Sequence, residues 1–221
     1  MSATMGGNSD GRDFFNLFSS GNIFYTVGFW SSLLLYLPGM VIINLFINEA
    51  NFKTHRQNII DGWKRETFIF TKIGLIVCFS LAITLMNLIA VITLSNIIDV
   101  SPDYTLGLKV LCFIFLQAMV YLMFALALAT FFRRSGIAII VFFIYGIIFE
   151  LLLAGIIWYF FPKSSMPYFL PLQVADALTP VKLFGNLYAY SPSEIALVLG
   201  AVFFIALYIY LAVRKYKYDD L

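Results

Sequence analysis

Charge is what this sequence has least of: only 12% of its 221 residues are Asp, Glu, Lys or Arg, about half the share of an ordinary soluble domain. With 62% hydrophobic residues and a mean hydropathy of +0.91, no charged shell can enclose a water-soluble core. The chain reads as a polytopic membrane protein. Its net charge of +2 is too small for a nucleic-acid surface, so no nucleic-acid partner is expected. Histidine occurs once, as His55, and cysteine twice, without a CxxC or Cys/His cluster, which argues against a metal site. Cys78 and Cys112 lie in different apolar runs, about 20 Å apart in depth, and are expected to be small packing residues rather than a disulfide. No GxxxxGK[ST] motif is present, so this chain does not bind ATP phosphates through a P-loop. The lone histidine, between spans, leaves neither a Ser/His dyad nor an HExxH site, and the chain is not expected to be an enzyme.

The apolar runs supply the architecture. Five of them, about 24–47, 73–94, 108–131, 137–161 and 195–213, each come near the ~20 residues that a bilayer core requires. Helices satisfy their own backbone hydrogen bonds, and no sustained apolar–polar alternation points to strands. The expected fold is an all-α polytopic transmembrane helical bundle, five spans plus an outer re-entrant or interfacial hairpin, within a transmembrane domain at 23–213. Residues 1–22 read as a polar outer tail without a signal peptide's basic region, and 214–221 as a cytoplasmic tail. The hairpin, 162–192, is broken by Pro162, Pro167, Pro171, Pro180 and Pro192 but rich in aromatics. Tyr168, Phe169, Phe184, Tyr188 and Tyr190 suit the headgroup boundary, so the expected position is near the outer leaflet.

Basic residues set the expected orientation. Lys53, Arg56, Lys64, Arg65 and Lys72 lie between the first two spans, Arg133 and Arg134 between the third and fourth, and Arg214, Lys215 and Lys217 after the fifth. These ten mark a cytoplasmic face. Only Arg12, Lys109, Lys163 and Lys182 fall on the other side, among Asp10, Asp13, Asp99, Asp103, Asp176 and Glu194. An outer N-terminus and a cytoplasmic C-terminus follow.

The one long cytoplasmic segment, 48–72, reads NEANFKTHRQNIIDGWKRETFIFTK. Phe52, His55 or Arg56, Ile59, Ile60 and Trp63 recur at helical spacing, and Gly62 supplies a helix stop. Two readings stay open: an amphipathic helix on anionic headgroups, or a docking surface for a soluble partner. The pattern Glu49, Thr54, Gly62, Arg65, Phe68 and Lys72, with the runs NE, KT, RQN and IIDG, resembles the membrane subunits of ABC-2 type exporters, especially their Bacteroidetes-like permeases. The resemblance spans about 21–72, and the later helices share only number, spacing and the broken outer loop. It implies a permease in the bacterial inner membrane, working as a homodimer or paired permease. Its 48–72 loop would seat on a separate ABC ATPase through Glu49, Thr54, Arg56, Gln57, Gly62, Arg65 and Lys72. ATP and Mg would be bound by that partner, and no cofactor by this chain. Such permeases open with a basic interfacial helix and one further span, so the start of this chain is expected to be truncated or misannotated.

Three amides and one acid fall within the spans: Asn44, Asn87, Gln117 and Glu150. The amides are expected to join neighbouring helices. Glu150 is expected to be a hydrogen-bonded interior residue, with Gly146 and Ala154 one turn to either side completing a small-polar-small stripe. An intramembrane carboxylate also suits a gradient-driven transporter or channel, and a non-transporting scaffold is a third reading.

Overall fold

The computed structural model describes residues 18–52, 65–132, 134–161, 164–180 and 192–218. Among these, all regular structure is helical: α1 (Ile23–Leu34), α2 (Tyr36–Asn51), α3 (Arg65–Ile98), α4 (Tyr104–Phe131), α5 (Ser135–Ile144), a π-helical turn (Tyr145–Phe149), α6 (Glu150–Phe160), a 3-10 turn (Met166–Phe169), α7 (Gln173–Asp176) and α8 (Glu194–Tyr218). Five stretches are long and apolar enough to cross a membrane: Ile23–Glu49, Ile69–Ile98, Tyr104–Phe131, Ser135–Phe160 and Glu194–Lys215. They match the five apolar runs, and the last helix continues beyond the expected span into the tail.

Local chemistry explains where these helices break. Pro38 has no N–H to offer the carbonyl four residues back, and its ring crowds it. The first span therefore divides at Leu35, whose N–H bonds Ser32 O while its carbonyl accepts from Gly39. At the end of α3, Asp99 takes a left-handed φ of 58° and the Val100 N–H reaches back to Ser95 O, the six-to-one closure that ends many helices. Asp103 then caps α4 by accepting from Thr105 N and Leu106 N. Hydrogen bonds from Thr105 and Leu106 hold its carboxyl below the usual range.

The bundle is built around α4, which touches α1, α2, α3, α5, α7 and α8. Of its most apolar stretch 72% is buried, against 22% for α3, for α5–α6 and for α8. Ala118, Ala125, Ala127 and Ala129 let the other helices approach it closely. The perimeter is apolar as well, with Trp30, Leu34, Met86, Ile89, Leu152, Phe160 and Leu199 all exposed. A water-facing surface would not carry a continuous belt of this kind, whereas lipid accommodates it. The chain is a multi-pass membrane protein. Cys78 and Cys112 are both exposed, so they sit on this belt and not, as expected, in packing positions.

Of the two alternatives for the connection, re-entrant or interfacial, residues 164–180 take the re-entrant form: they fold back between the spans, with Leu172, Val174, Ala175, Leu178 and Thr179 all buried and α7 packed against α4 and α8. Glu150, which the segment reaches, lies ten residues before the end of α6, roughly 15 Å along its axis. Tyr168 is buried and Phe169 exposed. Phe184, Tyr188 and Tyr190 lie outside the described residues.

Candidate functional site

A polypeptide that enters a bundle without crossing it must find partners for every backbone group. In this segment most are met internally: Val174 N–H bonds Leu170 O, Asp176 N–H bonds Leu172 O, and Ala177 N–H bonds Gln173 O. The first donors of α7 have no such partner. Glu150 meets them, its Oε1 accepting from Leu172 N at 2.6 Å and Gln173 N at 2.8 Å. The carboxylate is 2% exposed.

Glu150 reaches that position because α5 does not run into α6 as a regular helix. Its N–H bonds Tyr145 O, five residues back, so the π turn inserts one extra residue immediately before the acid. Within the turn, Gly146 lies beneath the Tyr36 hydroxyl, close enough that a Cβ would collide with it. The stripe Gly146, Glu150, Ala154 does face inward. What it meets is Tyr36 and the re-entrant segment, which packs on α6 through the 3-10 turn.

The other end of α7 carries a second acid. Asp176 accepts from Gln117 Nε2 at 2.8 Å and from Tyr121 Oη at 2.9 Å to each oxygen. Gln117 is 1% exposed, and its carbonyl accepts from Thr179 Oγ1 at 3.3 Å. Both ends of the amide thus bind the re-entrant segment. Part of Asp176's surface is exposed, yet burial of its carboxyl prevails over the Gln117 and Tyr121 hydrogen bonds and pushes it up to about 6. Four tyrosines complete the cluster: Tyr36 and Tyr121, whose rings meet edge-on at 5.5 Å, with Tyr145 and Tyr208 on either side of Phe124 at 5.0 and 5.4 Å. The sequence counts Asp176 among the acids of the outer side and gives it no interior role. The signal that could have found it is an acid inside the short apolar run VADAL, between Pro171 and Pro180.

At the end of the bundle that carries Arg134, Lys72 Nζ lies 2.5 Å from Glu49 Oε1, with the Lys72 side chain only 11% exposed. Glu49 sits in the last turn of α2 and Lys72 in the third turn of α3, so the pair ties both feet of the intervening loop. Thr54, Arg56, Gln57 and Gly62 lie outside the described residues. Arg65 opens α3. Asn51, Arg134, Ser135, Gly136, Ile137 and Ile140 line an open groove at the same end.

The remaining amides divide. Asn87 bonds Ser31 Oγ at 2.8 Å and Ile83 O at 2.9 Å, which joins α3 to α1 as expected of a helix-binding amide. Asn44 is partly exposed on α2. Among the described residues, no group of three His, Cys, Asp or Glu could hold a metal ion. In comparison with known proteins, no family model matches this chain and no curated protein matches it.

Proposed function

We propose that this chain is the membrane-spanning permease subunit of an ATP-driven ABC-2 type exporter. It would be energised by a separate ATPase that docks on the 48–72 loop and holds the ATP and Mg. The observation that supports this reading is the Glu49–Lys72 ion pair. These residues bracket the loop in the pattern that resembles the exporters' coupling segment, and in the fold they join its two feet. A force applied to a loop clamped in this way moves α2 and α3 together instead of stretching the loop between them. ATP-driven closure of two ATPases would then shift a pair of permeases between inward-open and outward-open states. The membrane is the bacterial inner membrane, with the end bearing Arg134 and Lys72 cytoplasmic and the re-entrant segment entering from outside.

The test is co-purification of the tagged full chain from membranes with a Walker-motif ATPase encoded beside it. A stoichiometric complex whose ATP hydrolysis depends on this chain is expected. A chain that recovers no ATPase, with Lys72→Glu indistinguishable from wild type in every transport assay, would overturn the reading.

A further inference from the structure

Two side chains of α3 hold buried polar atoms with no hydrogen-bond partner among the described residues: Ser80 Oγ and Asn87 Oδ1, on residues 0% and 5% exposed. They stand seven residues apart, two turns of helix, and so share one face. Each lies eleven residues inside one end of the Ile69–Ile98 span, so the pair straddles its midpoint. Thr84 sits between them and gives its hydroxyl to Ser80 O at 2.8 Å. An unmade hydrogen bond is most costly at this depth, where apolar surroundings offer no replacement.

Apolar packing is divided at this face. Ile69 and Ile76 of α3 belong to one buried cluster and Val91 to a second, which α1 and α4 complete with Ile23, Phe24, Val110 and Ile114. Ser80 and Asn87 fall between them in the helix. Polar groups from four elements line this boundary. Asn87 Nδ2 donates to Ser31 Oγ on α1 at 2.8 Å. One turn back along α1, a Cβ on Gly28 would stand 3.4 Å from the Thr179 methyl. Thr179 Oγ1 donates to the Gln117 carbonyl on α4 at 3.3 Å, and Gln117 Nε2 donates to Asp176 at 2.8 Å. A track of hydroxyls and amides thus leads from Asp176, whose surface is partly exposed, to Ser80 near the midpoint of α3.

We propose that this track is the wall of a path for an uncharged polar solute, closed in the state the structure records, with Ser80, Thr84 and Asn87 as the groups that bind the solute at the midplane. The inference deepens the permease reading and rests on it, but not on the ATPase. A buried hydroxyl or amide that serves packing alone normally satisfies its hydrogen bonds within the protein. Here Ser80 Oγ and Asn87 Oδ1 keep bonding capacity that the closed packing leaves unused. When α1 parts from α3, both atoms meet water or a solute hydroxyl. That exchange recovers desolvation free energy and favours the open state relative to the closed one. Ser31, Ser80, Thr84 and Asn87 are all uncharged, so they trade hydrogen bonds with a neutral solute one for one. A charged solute at the midplane would require a counter-charge.

The experiment measures the reactivity of single cysteines in the full chain, reconstituted in liposomes in a background of Cys78→Ala and Cys112→Ala. Ser80→Cys and Thr84→Cys probe the path. Leu85→Cys, at an exposed position of the same helix, reports lipid, and Ser101→Cys, outside the spans, sets the rate in water. The thiolate is the form that attacks a methanethiosulfonate, and lipid suppresses it where water sustains it. Relative to Ser101→Cys, hydroxyethyl methanethiosulfonate is expected to modify Ser80→Cys and Thr84→Cys at least about tenfold faster than Leu85→Cys. The sulfonatoethyl analogue should be slowed at both positions. Each variant is first shown to elute and melt as its background does, and Thr84→Cys carries the test if Ser80→Cys misfolds. Path cysteines no faster than Leu85→Cys, with MgATP and any recovered ATPase present, overturn the path, while an ATPase recovered with the chain keeps the exporter reading. Faster reaction in a chain that recovers no ATPase retains the path and removes that reading. Equal relative rates for the neutral and sulfonate reagents overturn the assignment of an uncharged solute.

Discussion

Glu150 and Leu172 are 22 residues apart and belong to different kinds of segment, one a spanning helix and one a backbone that turns back before crossing. They meet through a 2.6 Å hydrogen bond from the Leu172 N–H to the Glu150 carboxylate. The acid thus occupies the place a capping side chain would fill at the start of α7, supplied from another element. Neither group is stable at depth alone. A bare N–H and a bare carboxylate each carry a large desolvation cost, and each removes part of the other's.

Replacing Glu150 separates its roles as acceptor and as acid. Glu150→Gln keeps a carbonyl oxygen for Leu172 and Gln173 and should retain folding. Glu150→Leu strands both N–H groups and should destabilise the protein by about 2–5 kcal/mol. Thermal unfolding in detergent, followed by size-exclusion fluorescence, measures the difference. Equal stability of the two variants would show that the segment needs no acceptor at this position.

Gly146 should tolerate no side chain. A Cβ there collides with Tyr36, which is wedged against Tyr121, Phe142 and Phe143 at centroid distances of 5.5, 5.3 and 5.2 Å and has nowhere to move. Gly146→Ala should cost about 1–3 kcal/mol through overpacking. Gly74→Ala, where nothing lies within 4 Å of the added carbon, should cost nothing measurable in the same assay.

The Glu49–Lys72 pair should matter more for partner association than for stability. Breaking it by Lys72→Glu is expected to cost about 1–2 kcal/mol, the range between exposed and buried pairs, while sharply reducing recovery of the ATPase. The exchanged pair, Glu49→Lys with Lys72→Glu, should restore much of that recovery. A double-mutant cycle on co-purification yields the coupling directly.

Asp176 makes stability depend on pH with a definite sign. Its folded value, raised to about 6 from an ordinary 3.8, means that the folded state holds the proton more tightly than the unfolded state. The stabilisation is fully present below the unfolded value and is lost as pH rises through about 6. Unfolding midpoints across that window should fall for wild type and flatten for Asp176→Asn, which cannot titrate.

Orientation is open to labelling. Single cysteines at Ser101 and Ser135, in a background lacking the perimeter residues Cys78 and Cys112, should react differently with an impermeant thiol reagent on intact cells. Labelling at Ser101 alone is expected. The reverse result would invert the topology.

The spans were legible because an apolar run of membrane length is a property of consecutive residues. The second run, read as 73–94, became Ile69–Ile98, because Thr71 and Lys72 at one end and Ser95 and Asn96 at the other interrupt the apolar run while the helix continues through them to Ile69 and Ile98. The inward position of Glu150 was legible too, from the cost of an acid facing lipid. Asp176, Tyr121 and Tyr208 were not. A buried acid in a proline-broken connection has the same local signature as an exposed one, and a tyrosine in a span has the same signature whether it packs, anchors or pairs.

By itself, then, the sequence determined a helical membrane bundle and the segments that compose it, since the bilayer makes length and polarity sufficient to choose a helix. Only the tertiary structure decided where the connection 164–180 would lie. That choice depends on whether Glu150 can satisfy the Leu172 and Gln173 N–H groups, and whether Gln117 and Tyr121 can receive Asp176. Those pairings join residues 22 to 59 positions apart, and their free energy exists only once α4, α6 and α7 have been packed together.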